Sequence, residues 1–112
     1  MADAVALYDE ADKLKDSGKL DEAAAKLKEA LAIEPSYALA HSGLAVVLQR
    51  LGRHEEAIAH ARKACELEPN DPFSFTALSV TYQRAFAGTN DQRYIRMAED
   101  AMEQSRILQG GH

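Results

Sequence analysis

Residues 21–35 read DEAAAKLKEALAIEP, and residues 55–69, offset by 34, read EEAIAHARKACELEP. A fixed period of this size marks a chain built from copies of one supersecondary unit, none of which can bury its apolar face alone. Ala23, Ala30 and Pro35 recur as Ala57, Ala64 and Pro69. Alanines seven apart lie on one helical face and let a second helix approach closely. The proline then stops the helix, because it has no N–H to give and its ring clashes with the preceding turn.

Reading outward from this pair places six antiparallel helices in three pairs. Asp3 to Ser17 carries Leu7, Ala11 and Leu14 at helical spacing, with Asp3 placed to cap it and Gly18 to close it. A second helix follows Leu20 and Asp21, with Ala23, Leu27, Ala30, Leu31 and Ile33 expected inward. Pro35 and Ser36 form a turn, with Ser36 expected to cap the helix from Tyr37 to Leu51; Gly52 mirrors Gly18. Glu55 to Glu68 repeats the second helix. Asp71-Pro72 is a compact start for Phe73 to Ala87, with Asp71 as cap and Pro72 in the first turn. The period then slips: the next matching alanine is Ala98, seven residues late. Gly88 to Asp91 reads as the break, and Thr89 with Gln92 reads as a capping box. Tyr94 to Gln109 closes the chain, with Ile95, Ala98, Met102, Ser105 and Leu108 expected inward.

At 112 residues the chain suits one domain, placed at 1–112 with units at about 4–37, 38–71 and 72–109 and the insert near 86–93. The net charge of −5 falls mostly on residues 1–37, where nine acids face five lysines, so no basic stripe exists to neutralise phosphates. A nucleic-acid partner is not expected. Cys65 is the only cysteine, which excludes an internal disulfide and suits a reducing compartment. No apolar run approaches 18 residues and Met1 to Ala11 has no leader pattern, so a cytoplasmic protein without membrane contact is expected.

The residues resemble the tetratricopeptide repeat, a helix–turn–helix unit of 34 residues. Its leading helix is matched by Leu7, Ala11 and Leu14; by His41, Leu44-Ala45 and Leu48; and by Phe75, Leu78-Ser79 and Tyr82. Its second helix is matched by Ala23, Leu27, Ala30 and Pro35; by Ala57, Ala61, Ala64 and Pro69; and by Ala98, Met102 and Ser105. Glu10, His41, the seven-residue insert and Gly110 depart from the pattern. The resemblance implies an all-α fold, a right-handed α-α superhelix of three antiparallel helix pairs with a lengthened third hairpin. It also implies a concave groove lined by the leading helices and holding a segment of another protein.

By register that groove would carry Val5, Tyr8, Asp12 and Lys15 from the first unit. The second would give Leu39, Ser42, Val46 and Gln49, and the third Phe73, Thr76, Val80 and Gln83. One branch of the family holds chaperone C-termini in a carboxylate clamp of Lys, Asn and Arg. The matching places here hold Tyr8, Asp12, Gly43, Phe73 and Ala77, which cannot hold a carboxylate. An apolar peptide or amphipathic helix is the expected occupant; alternatively, Leu39 and Phe73 only cover the junctions between helices.

Catalysis and metal binding find no support. His54-Glu55-Glu56-Ala57-Ile58 begins like a zinc-protease motif but lacks the second histidine one turn on. His41 on an apolar face reads as a packed side chain, and Glu55-Glu56 as charges favouring a helix N-terminus. No nucleophile has a base in sight, so neither enzyme activity nor a cofactor is expected. The competing reading is a self-associating scaffold, with a homodimer formed through a C-terminal stacking edge carrying Tyr94, Met97, Ile107 or Leu108.

Overall fold

The fold follows from six short helices and the way each one ends. In the computed structural model, which describes residues 3–110, these are α1 (Ala4–Asp16), α2 (Leu20–Ile33), α3 (Ala38–Arg50), α4 (His54–Leu67), α5 (Pro72–Thr89) and α6 (Arg93–Leu108). Asp3 caps α1 by accepting from the Ala6 N–H at 2.7 Å. Gly18 and Gly52 take left-handed φ values of 78° and 79°, which a side chain would strain. Lys19 N–H then reaches Leu14 O at 2.8 Å, as Arg53 N–H reaches Leu48 O at 2.9 Å. The two turns are thus the same hydrogen-bonded corner made twice. Asp71 caps α5 through the Phe73 N–H at 2.9 Å, with Pro72 as the first helical residue.

The third corner differs. Residue 86, where the period would place the glycine, is Phe86, and α5 continues to Thr89 for 18 residues against 13 in α1 and α3. Gly88 therefore lies inside the helix rather than at its break. Asn90 ends the helix in the left-handed region, at φ 59°. The expected Thr89–Gln92 capping box does not form: Thr89 bonds back to Ala85 O at 2.7 Å, and Asp91 accepts the Arg93 N–H at 3.0 Å. Ser36 likewise gives way to Tyr37 at the start of α3, with no side-chain cap.

Each leading helix packs against its own second helix; α2 also meets α3, and α4 meets α5. The leading helices touch one another, α1 with α3 and α3 with α5, whereas α2, α4 and α6 do not. Contact on one side alone curves the stack, so α1, α3 and α5 line the concave face of an α-α superhelix of three antiparallel pairs. One core gathers Leu7, Leu27, Leu44, Val47 and Leu48; a second gathers Ala45, Ile58, Ala61, Cys65, Leu78 and Tyr82. Ile33 and Ile95, expected inward, are 54% and 38% exposed. Ile33 is the last residue of α2, and Ile95 lies on a face that no other described helix covers. No helix among the described residues is long and apolar enough to cross a membrane.

Candidate partner-binding groove

The concave face holds two hollows, one at each junction between leading helices. The first, of about 190 Å³, lies between α1 and α3 and brings together Tyr8, Asp12, Lys15, Leu39, Ser42 and Val46, all expected there. Gly43 lies on its floor, where an added Cβ would stand 3.4 Å from the Tyr8 ring and 3.6 Å from Leu27, in ordinary van der Waals contact. Tyr37 packs on the other side of that ring, with centroids 5.8 Å apart. Asp12 and Lys15 pair at 3.2 Å on the rim.

The second hollow, of about 170 Å³, lies between α3 and α5 and is lined by Ser42, Val46, Gln49 and Val80 among others. Gln49 Oε1 is buried there without a hydrogen-bond partner among the described residues. Such an acceptor costs free energy until a donor reaches it. Val5, Leu39 and Phe73 occupy one register position in the three units and are 56%, 57% and 77% exposed. Only Leu39 borders a hollow; Val5 and Phe73 stand free of both. Thr76 turns toward α6, where its hydroxyl meets that of Ser105 at 2.8 Å.

Gln83 belongs to a third hollow, of about 450 Å³, at the far end of the stack, with Ser79, Phe86, Ile95, Ala98, Glu99 and Met102. Sequence reasoning expected an open C-terminal stacking edge but on other residues, although the period marks these: Ser79 and Gln83 stand where Ala45 and Gln49 stand in the unit before. None of Tyr94, Met97, Ile107 and Leu108 borders it. Tyr94 stacks on Tyr82 at 6.0 Å, and Met97 lines a shallow depression with Phe75 and Leu78. Ile107 is exposed and Leu108 half-buried.

His41, His60 and Cys65 have structural partners. His41 Nε2 lies 2.9 Å from Pro35 O, a carbonyl that can only accept, so that nitrogen carries a hydrogen. In the neutral ring Nδ1 is then an acceptor, and His60 Nδ1–H donates to it at 3.0 Å. Cys65 is buried, with its thiol donating to Ser74 O at 3.3 Å, and burial pushes its pKa up to about 11. A thiol so far from ionising is a weak nucleophile. No group of three or more metal-ligating side chains comes together among the described residues.

The family pattern described as Tetratricopeptide repeat matches residues 2–72, more than half of the chain. The chain belongs to the tetratricopeptide repeat family. The match ends at Pro72, the first residue of α5, so the hairpin with Phe86 in the glycine's place lies outside it. No curated protein matches the sequence. Among solved structures, a crystal structure of MamA superposes with a TM-score of 0.83 at 18% identity, covering 96% of this chain and 59% of that one. The second tetratricopeptide repeat domain of Spaghetti (RPAP3), bound to the HSP90 peptide SRMEEVD, gives 0.78 at 20% identity, covering 94% and 91%. A CopN–Scc3 complex gives 0.78 at 14% identity, covering 94% and 58%. This tetratricopeptide repeat chain therefore spans under two thirds of the MamA and CopN–Scc3 chains it resembles.

Proposed function

We propose that this chain is a non-catalytic protein-interaction module that takes an apolar peptide or helical segment of another protein along its concave face. The observation that carries this reading is the row Val5, Leu39 and Phe73, apolar and exposed at one register in all three units. Single exposed hydrophobics are ordinary, but a row repeated at the unit spacing on the face that holds two hollows is not. Burying three such side chains is worth ~1.5–2 kcal/mol each, short of the ~8 kcal/mol of micromolar binding. The partner therefore also fills the hollows. The fold suits a bound peptide, as in the Spaghetti domain with its HSP90 peptide. That acidic ligand is a poor guide to this one, because Tyr8, Asp12, Gly43, Phe73 and Ala77 offer no cation to a carboxylate. The free, buried Cys65 fits a reducing, cytoplasmic setting.

The test is affinity capture from the source cell with wild type beside Phe73→Glu, read by mass spectrometry. We expect a partner retained by wild type and lost with the variant, whose melting and circular dichroism stay unchanged because Phe73 is 77% exposed. Identical captures would remove the groove from consideration.

A further inference from the structure

The hollow at the end of the stack lies at the register of two inner junctions whose occupants are known. At the first junction, α3 packs onto α1 and α2 through Ala40, Leu44 and Val47, all 1% exposed or less. At the second, α5 packs onto α3 and α4 through Ser74, Leu78 and Thr81, all 9% exposed or less. Both occupants present a small residue, a leucine and a β-branched residue at i, i+4 and i+7, one stripe of a helix. At the C-terminal end the receiving surface is complete and still apolar, with Phe86, Ile95, Ala98 and Met102, but it gains one charge. Glu99 stands where the period, with its seven-residue slip, places Ile58.

We infer that the α5–α6 hollow is a second docking site, filled by an amphipathic helix from outside residues 3–110 that carries a small–leucine–β-branched triad with Lys or Arg beside it. A second copy of this chain does not fit. Its leading stripe is Ala6, Glu10 and Lys13, which would put a carboxylate in the leucine's place next to Glu99; Glu10 is also held by Lys26 at 3.5 Å. An acidic rim on an apolar hollow selects a basic, apolar helix instead.

The probe is a synthetic peptide of residues 37–53 of this chain, stapled on its polar face and confirmed helical by circular dichroism. It carries Ala40, Leu44 and Val47 together with Arg50 and Arg53. Titrated into the full chain, it should shift the methyl resonances of Ile95, Ala98 and Met102 and saturate below about 1 mM. Ile95→Glu, at a position 38% exposed, should weaken binding by roughly tenfold or more. Phe73→Glu should leave it unchanged, which separates this site from the concave one. No saturation by about 1 mM, shifts confined to α1 and α3, or equal binding to a Leu44→Lys peptide would overturn the inference. So would a dimer in sedimentation that Ile95→Glu dissolves.

Discussion

The pairing of His41 with His60 sets a pH dependence. Burial, then the neighbouring His41, lowers the basicity of His60 below its ordinary value; Lys28 acts in the same direction and Glu56 opposes it. The folded state thus favours the neutral ring. As pH falls through the unfolded value of 6.5, the unfolded chain takes up a proton first, so this stability is present above that point and lost below it. Urea melts at about pH 7.5 and 5.5 should show wild type losing stability at the lower pH, and His60→Asn losing less. Equal slopes for the two proteins would sink the idea. The pair was illegible in sequence, because residues 19 apart on adjacent helices carry no local signal. His41 alone was legible as a packed side chain, from its place on an apolar stripe.

Among elements, α5 departs most from the period, and its extension meets the start of α4. Gly88 lies against the His54 ring at the start of α4, close enough that an added Cβ would collide with Nε2. His54 Nδ1 is itself buried without a partner among the described residues. In an open helix Gly→Ala gains ~1 kcal/mol. Here Gly88→Ala should gain nothing or destabilise in wild type, yet stabilise by ~0.5–1 kcal/mol in a His54→Ala background. A double-mutant cycle of denaturant melts measures the difference; equal effects in both backgrounds would mean the contact is not felt. The break falls within the Gly88–Asp91 stretch expected to hold it, but at Asn90 and Asp91 rather than at Gly88. A glycine ends a helix when the chain there turns left-handed, and that conformation is taken by Asn90. The informative residue was Phe86, standing where two earlier units have their corner glycine.

At the scale of the molecule, the two ends of the stack differ in kind. Ala6, Glu10 and Lys13 make the first face polar, while Phe86, Ile95 and Met102 keep the last one apolar. Replacing Glu10 with Leu and Lys13 with Val would restore the stripe that fills the inner junctions. Copies should then join head to tail, and because such contacts do not close, sedimentation should show mass growing with concentration. A strictly monomeric double variant would show that the end hollow rejects even this chain's own stripe. Periodicity made the inner junctions legible through Leu44, Ala45 and Ala57, since every copy of a stripe there has a neighbour. Ile95 was expected inside because it shares a stripe with the buried Ala98, but no described helix covers its end of that stripe.

The two cores share the middle pair. α3 gives Leu44, Val47 and Leu48 to one and Ala45 to the other; α4 divides likewise, with Ala57 in the first and Ile58, Ala61 and Cys65 in the second. Either outer pair can detach at the cost of one core, whereas the centre cannot open without spoiling both. Heat would therefore fray this chain from its ends inward, as in a linear array governed by nearest neighbours. A ligand lying across Val5, Leu39 and Phe73 would bind all three pairs at once and join units that otherwise melt separately into one cooperative block.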